Sequence, residues 1–348
     1  MGGGNWDNMS YNTRAAANAA AGKSTFDFTD QIRAGRTAAA PHDLLNPLTV
    51  AGPASPFAGK VMREVVISDE HPNPTPIAIL LDVTGSNIAA ATAVHAKLPQ
   101  LFGLLQRKGY AEDPQILMGA IGDAFSDRVP LQVGQFESDN RIDEMLEAMY
   151  LEGNGGGQTH ETYELGAYFL AYHTHLEPFH KQGRKGYAIL IGDELPYATV
   201  KQNYGSYYGS GHTLTSLVGD TIEEDITTEQ IFADLQEQYE VFFLFQQQGA
   251  YDQSEILPAW KKLLGERALV LEDPNAVCEF IAGLLGMMEG GLDLDEIEAD
   301  LQAIGADASA IKAAGKALAT VGGGSGGAVA KTDGTLPTTD DSTATGRL

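Results

Sequence analysis

The 348-residue sequence has few of the features that mark secreted or membrane proteins. It contains one cysteine, Cys278, so no disulfide can form within a single chain. Its apolar runs, such as IAILLDV and IAGLLGMM, are far shorter than the roughly 20 residues that a membrane-spanning helix needs. The amino-terminal stretch MGGGNWDNMSYNTR lacks the basic and apolar regions of a secretion signal. We therefore expect a soluble, cytoplasmic protein with no membrane partner.

Basic residues are also scarce. The sequence has 22 lysines and arginines against 47 aspartates and glutamates, which gives a formal net charge of -25. Such an acidic chain repels phosphate backbones at long range, so we expect no nucleic-acid partner. The hydrophobic content of 43% is nevertheless ordinary for a packed protein, and the length suffices for one large domain or two small ones.

Composition divides the chain into four segments. Residues 1–60 are rich in Gly, Ala, Asn and Pro and show no sustained hydrophobic period, which predicts an extended or disordered N-terminal arm. Residues 61–290 have the pattern of a folded domain. A helical, acidic appendage is expected at 291–321, where two helices either fold back onto the domain or bind a partner. Residues 322–348 are rich in Gly, Ser and Thr and predict a flexible tail.

Short apolar runs alternate with amphipathic stretches in the domain. This pattern predicts a Rossmann-like α/β fold, in which a mostly parallel sheet is flanked by helices on both faces. The helix signal is clearest at 277–288, where apolar residues recur at intervals of three and four. The strands are expected at residues 77–83, 116–121, 129–136, 187–191, 241–245 and 269–271.

Oxygen-bearing side chains occur in three loops of this domain. The first strand runs directly into Asp82-Val83-Thr84-Gly85-Ser86, which offers a carboxylate and two hydroxyls at alternate positions. A glycine-rich segment, GGGQTHET, contains Thr159, and a later strand ends in Gly-Asp-Glu with Asp193. Because the loops at the carboxyl ends of parallel strands meet at one edge of the sheet, these side chains can share a site.

The order of these motifs resembles the von Willebrand factor A family over roughly residues 75–290. The metal-ion-dependent adhesion site (MIDAS) of that family begins with Asp-x-Ser-x-Ser after the first strand, and Thr84 stands here at the first serine position. The resemblance implies that Asp82, Thr84 and Ser86 bind a divalent metal ion. It also implies that a threonine of the second loop and Asp193 complete the site, Asp193 through water.

The second loop allows more than one register. Thr159, the first threonine after the glycine run, is our assignment. Thr162 or Glu161 takes this role instead if the glycine turn follows an unusual path. Five oxygen ligands without cysteine or a required histidine favour Mg²⁺, Mn²⁺ or Ca²⁺ over zinc or copper.

The resemblance implies a binding function. We expect a divalent-metal-dependent protein-binding adaptor of the stand-alone, intracellular bacterial or phage type, without catalytic residues. Its partner is expected to offer an acidic residue to the metal, and a MoxR-type AAA+ ATPase or a stress-response system is the implied context. Two alternatives stay open. One is a metal-dependent phosphoester hydrolase with Asp82 as nucleophile, although no acid or base is evident nearby. The other is a structural subunit of a larger particle.

A tyrosine-rich segment follows the third loop. It contains Tyr204, Tyr207 and Tyr208 among glycines and serines. Rigid aromatic groups on a pliable backbone suit recognition of a partner, and a plain crossover loop explains the composition equally well. Both interpretations stay open on the sequence alone.

Overall fold

The structure, a computed structural model, describes residues 4–85, 87–153, 159–205, 211–247 and 251–323. The strands within these ranges are β1 (Arg63–Val65), β2 (Thr75–Asp82), β3 (Pro114–Ile121), β4 (Leu131–Glu137), β5 (His160–Glu161), β6 (Thr174–Leu176), β7 (Gly186–Gly192), β8 (Leu195–Pro196), β9 (Thr199–Val200), β10 (Ile226–Thr227), β11 (Tyr239–Gln246) and β12 (Ala268–Leu271). The helices are α1 (Asn8–Ala20), α2 (Asp27–Arg33), α3 (Ile88–Arg107), α4 (Arg141–Glu147), α5 (Tyr163–Tyr172), α6 (Glu177–Gln182), α7 (Leu214–Val218), α8 (Thr228–Gln238), α9 (Gln253–Leu264), α10 (Val277–Met288), α11 (Leu294–Ala303) and α12 (Ala308–Gly323).

Six of the strands form a central sheet in the order β12-β11-β7-β2-β3-β4. β4 runs antiparallel to β3, and every other neighbouring pair is parallel. These six strands are the six expected from the sequence, and their ends differ from the expected ones by at most two residues. The prediction of a mostly parallel sheet flanked by helices is therefore confirmed.

Strand β2 shows why the sheet is covered on both faces. All eight of its residues are buried, as expected for an apolar strand in the middle of a parallel sheet. Because successive side chains point to opposite faces, Ile77, Ile79 and Leu81 join one core, which α3 and α10 complete. Ala78 and Leu80 join the other core, which α5, α8 and α9 complete.

The strand order reverses between β2 and β7. The chain leaves β2 to form β3 on one side of the sheet, and it leaves β7 to form β11 on the other side. The connections that follow β2 and β7 therefore lead to opposite sides of the sheet, and the residues just after both strands lie together at its carboxyl edge. In doubly wound sheets, ligands bind at such a reversal point.

The amino-terminal segment differs from the extended arm expected for residues 1–60. It contains the helices α1 and α2, and Trp6 stacks on Phe102 of α3 with ring centroids 4.7 Å apart. The hydroxyl of Thr29 donates to the carbonyl of Met149 and accepts from the amide of Leu151. Single anchors of this kind produce no hydrophobic period, which is why the sequence pattern does not reveal them.

The helical appendage expected at 291–321 is present as α11 and α12. Ile297, Leu301, Ile311 and Leu318 are buried in the same core as α10, so the pair folds back onto the domain. Most of the tail expected at 322–348 lies outside the described residues. Within the described part of the chain, no helix is both long and apolar enough to cross a membrane.

Candidate metal centre at the carboxyl edge of the sheet

Strand β2 places the first candidate ligand at the carboxyl edge of the sheet. Asp82 is its last residue and is fully buried. Its Oδ1 atom accepts hydrogen bonds from the amide of Thr84 at 2.9 Å and from the hydroxyl of Thr84 at 2.6 Å. The tight turn after β2 thus brings the carboxylate and the first hydroxyl of the motif together. Ser86 lies outside the described residues.

The loop after β7 lies beside the loop after β2. Asp193 is buried, and its Oδ1 accepts a hydrogen bond of 2.6 Å from the side-chain amide of Asn87, just before α3. The indole of Trp260 on α9 donates to the carbonyl of Glu194 at 2.9 Å, which fixes the backbone of the same loop. The structure therefore brings the first and third motifs together, as expected, and adds Asn87 as their link.

The second loop is anchored to the third by backbone pairing. Strand β5 pairs in parallel with β8, and the amide of Leu195 donates to the carbonyl of Thr159 at 2.9 Å. The hydroxyl of Thr159 contacts His160 Nδ1 at 3.2 Å. Thr162 is buried and donates its hydroxyl to the carbonyl of Gly122, which gives it a structural role at the end of β3. Residues 154–158 of the glycine turn lie outside the described residues.

Glu161 and Glu194 add two carboxylates that the assigned ligand set did not contain. Both are buried, and their carboxyl groups interact with each other by a side-chain hydrogen bond, while within the described ranges the Oε2 atom of each accepts none from another donor. Burial raises the pKa of both groups, and the charge of Asp82 acts in the same direction. Glu161, kept as an alternative to Thr159, therefore lies near enough to Asp82 and Glu194 for their charges to interact. The residue after Asp193 is a second acid that sequence reasoning passed over.

The site is strongly anionic. Burial raises the pKa of Asp82 to about 6 and Asp193 adds to this shift, while hydrogen bonds from Thr84 and Tyr163 oppose it. Buried carboxylates that lie near one another are stable only if they take up protons or a cation. The donor set is made of oxygen atoms, so it fits a hard divalent cation such as Mg²⁺, Mn²⁺ or Ca²⁺.

The carboxylates of this edge are spread more widely than ligands that share one ion. Among the described residues, His95, Asp143 and Glu147 alone bring three carboxylate or imidazole ligand atoms within 4.8 Å of one another. Asp82, Asp193 and Glu161 do not meet that limit. Mutual repulsion favours such spacing between like charges. A cation at this edge would draw the carboxylates inward.

Tyr163 is the main residue that sequence reasoning missed. It is the first residue of α5 and is fully buried. Its hydroxyl donates to Asp82 Oδ2 at 2.7 Å and accepts from the amide of Glu194 at 3.4 Å. A β-carbon at Gly192 would lie 1.9 Å from this hydroxyl, so the glycine before Asp193 is needed for the close approach. In the sequence, Tyr163 looks like any apolar residue of an amphipathic helix.

Of the tyrosine-rich segment, Tyr204 is described and is not a surface residue. It is buried against Phe125, with ring centroids 5.3 Å apart. Tyr207 and Tyr208 lie outside the described residues. A recognition surface that needs an exposed Tyr204 is therefore wrong, because this side chain helps to close the core beside α5.

A buried acid beside the site makes stability depend on pH. Burial raises the pKa of Asp127 to about 7, and the Glu152 and Asp123 carboxylates act in the same direction. Because the folded-state pKa lies above the unfolded value of 3.8, the protein should lose stability as the pH rises from about 4 to about 7. We expect Asp127→Asn to stabilise the protein by about 2 kcal/mol more at pH 8 than at pH 5.

Urea unfolding in the presence of a chelator, at both pH values, measures this difference. The exposed Asp69 provides the control, and Asp69→Asn should change stability equally little at pH 5 and pH 8. A gain for Asp127→Asn that is the same at both pH values would show that burial does not hold the proton on this carboxyl.

Comparisons with known proteins do not assign a family. No protein-family model matches the chain, and no curated protein matches it. Among solved structures, the pilus adhesin SpaC from Lactobacillus rhamnosus GG, in its open conformation, is similar with a TM-score of 0.43 and 14% identity over 69% of this chain. Proximal thread matrix protein 1 from the mussel byssus has a TM-score of 0.37 and 12% identity over 61% of this chain.

The chain spans 31% of the length of SpaC and 47% of the mussel protein. The identities and TM-scores are too low to carry a functional argument. The case for a function therefore rests on the residues at the carboxyl edge of the sheet.

Proposed function

We propose that this protein is a divalent-metal-dependent protein-binding module. The ion, Mg²⁺ or alternatively Mn²⁺ or Ca²⁺, is held by Asp82, Thr84, Ser86, Thr159 and Asp193. The observation that carries this proposal is the set of buried carboxylates at the reversal point of the sheet, two of which, Glu161 and Glu194, lie against each other without an ion-pair partner in the described part. The resemblance of the three loops to the MIDAS motif supports the same assignment.

The residues around the ligands hold them in place. Tyr163 and Thr84 fix the two oxygen atoms of Asp82, and Asn87 fixes one oxygen of Asp193. When bound, the ion would offer an open coordination position to a carboxylate oxygen of a partner protein. Glu161 and Glu194 then add negative charge near the ion and help to balance it. No catalytic residue is part of this proposal.

The partner and its location are proposed from the resemblance and from charge. An aspartate or glutamate of the partner completes the ion's shell. The surrounding surface of the partner should be basic, because the chain carries a formal net charge of -25. We propose a cytoplasmic adaptor role, with a MoxR-type AAA+ ATPase or a stress-response system as its context. Nucleic acid and membrane are excluded from the proposed partners by the same net charge.

Affinity capture tests the binding function. The full chain and its Asp82→Asn variant are immobilised and exposed to cell extract with Mg²⁺ or with a chelator. We expect one set of proteins to be retained by the wild type in Mg²⁺ and to be absent in the other three combinations, because both the ligand and the ion are required. Asp69→Asn is the same substitution at an exposed aspartate, and this variant should retain the same proteins as the wild type. Retention of the same proteins in all four combinations would overturn the proposal.

A phosphoester hydrolase is the second candidate, because the structure supplies an acid that the sequence did not reveal. The carboxyl of Glu194 has a raised pKa, and its charge interacts with that of Asp82. Against this function, both oxygen atoms of Asp82 accept hydrogen bonds and the side chain is fully buried, which limits attack on a phosphate. Hydrolysis of p-nitrophenyl phosphate that needs Mg²⁺ and is lost in Asp82→Asn would favour the hydrolase.

A further inference from the structure

A second group of metal-binding side chains lies between α3 and α4. His95 on α3 and Asp143 and Glu147 on α4 each place a ligand atom within 4.8 Å of the others. Asp143 and Glu147 are four residues apart and therefore share one face of their helix. The helix α3 packs against α4, which brings His95 to that face.

Two atoms of this group are buried without a hydrogen-bond partner. Asp143 is 1% exposed, and its Oδ1 lies 3.3 Å from Nε2 of His95, which is an ion-pair distance without the alignment of a hydrogen bond. Within the described ranges, neither atom takes part in a hydrogen bond of acceptable geometry. Buried polar atoms without partners are costly and rare in folded proteins. A metal ion between them would accept a lone pair from each.

A protein cation already occupies part of this position. Arg14 reaches in from α1, and its Nη1 lies 2.6 Å from Glu144 Oε1, while its Nε lies 3.6 Å from Asp143 Oδ2. Its second terminal nitrogen contacts Glu147. The cluster still carries excess negative charge, since three carboxylates, those of Asp143, Glu144 and Glu147, surround the single Arg14 guanidinium. Arg14 therefore neutralises only part of the negative charge of these carboxylates, and a further cation would be stabilised at this point.

We propose that His95, Asp143 and Glu147 form a zinc site, in which Zn²⁺ takes the place of the Arg14 guanidinium. One imidazole nitrogen and two carboxylates suit Zn²⁺, which leaves a fourth position for water, whereas Mg²⁺ prefers oxygen ligands alone. Ligand atoms around a tetrahedral zinc ion lie about 3.3 Å apart, so the three side chains need to move by only about 1 Å. This site does not depend on the function proposed for the carboxyl edge.

A cleft beside the cluster is open to solvent, so an ion can enter it and the Arg14 side chain can turn into it. An open cleft of about 370 Å³ is lined by Arg14, Asn18, Glu144 and Glu147, among others. The Arg14 side chain is 26% exposed, so it can turn into this cleft without crossing the core. Because Arg14 is an ionic link between α1 and α4, zinc binding would exchange that link for a metal centre on α3 and α4.

Calorimetric titration of the full chain with Zn²⁺ in excess Mg²⁺ tests this site. Removal of the competing cation in Arg14→Met should tighten zinc binding by about 10-fold or more. Adding His95→Asn to Arg14→Met should then weaken it by at least about 100-fold, because the nitrogen ligand is lost. Arg141→Met is the matched control, since it removes the same charge at the start of α4, where Arg141 pairs with Glu137 and Asp139.

The control should bind zinc as the wild type does, and Asp82→Asn in the Arg14→Met background should leave zinc affinity unchanged. That last comparison separates this site from the one at the carboxyl edge. If Arg14→Met does not fold, Arg14→Gln keeps a polar side chain and serves in its place. Equal zinc affinity of Arg14→Met with and without His95→Asn would overturn the proposal, as would an Arg14→Met affinity no higher than that of Arg141→Met.

Discussion

Asp82→Asn should weaken Mn²⁺ binding by at least about 100-fold and, in the absence of metal, make the protein more stable. The two effects have one cause. The Asp82 carboxylate is buried and its charge interacts with those of Asp193 and Glu194, so ionisation without a cation is unfavourable. Asparagine removes the charge with little change of shape. We expect a gain of about 1–2 kcal/mol at neutral pH in a chelator, net of the lost Tyr163 hydrogen bond.

Added Mn²⁺ should reverse the order of stability. The wild type gains free energy of unfolding as the ion binds to its folded state, by an amount set by the ratio of ion concentration to dissociation constant. The variant gains almost none. Calorimetry gives the affinities. Thermal unfolding, once with chelator and once with Mn²⁺, shows which of the two proteins is more stable in each condition. A variant that binds Mn²⁺ as tightly as the wild type would remove Asp82 from the ligand set.

Arg63→Met should cost about 3–5 kcal/mol of unfolding free energy. The Arg63 side chain is almost wholly buried, and its guanidinium donates to the carbonyls of Gly134, Thr49 and Asn46 at 2.9, 2.7 and 2.8 Å. It also lies over the ring of Phe169 at 5.3 Å. One side chain thus joins the segment before β1, strand β4 and helix α5. Methionine fills a similar volume but leaves these carbonyls without donors.

Urea unfolding at pH 7 measures the loss as a shift of the midpoint at constant slope. Burial lowers the pKa of Arg63 to about 10, so the group remains charged at this pH. Arg63→Lys is the matched variant. It keeps the charge but presents its donors from one point, so it should recover only part of the loss. A loss below about 1 kcal/mol in Arg63→Met would mean that water replaces the arginine at these carbonyls.

The sheet could be predicted because each of its strands is recognisable from its own apolar residues. Six apolar runs of strand length stand between amphipathic stretches, and burial on both faces requires that composition. The positions of Asp82 and Asp193 follow from the same pattern, since each lies at the carboxyl end of a strand. The two motifs lie at the same edge of the sheet because β2 and β7 are parallel neighbours.

The rest of the site depends on contacts that no local pattern encodes. Tyr163 reaches Asp82 across 81 residues of sequence, and Asn87 reaches Asp193 across 106. Each is an ordinary residue of a helix or turn until the fold brings it to its partner. Glu194 was visible beside Asp193, but its burial was not, because a charged residue in a loop is usually exposed. The sequence pattern does not predict the helices α1 and α2 for a similar reason, since the residues that anchor them, such as Trp6, are isolated.

The docking of the amino-terminal helices has a consequence for the order of folding on the ribosome. Arg14 pairs with Glu147, and Arg33 donates to the carbonyl of Leu151, so these contacts span 133 and 118 residues. The helices α1 and α2 therefore cannot take their final places until α4 and the segment after it have been synthesised. Distant contacts of this kind form slowly, and the apolar face of Trp6 stays open to chaperones in the interval.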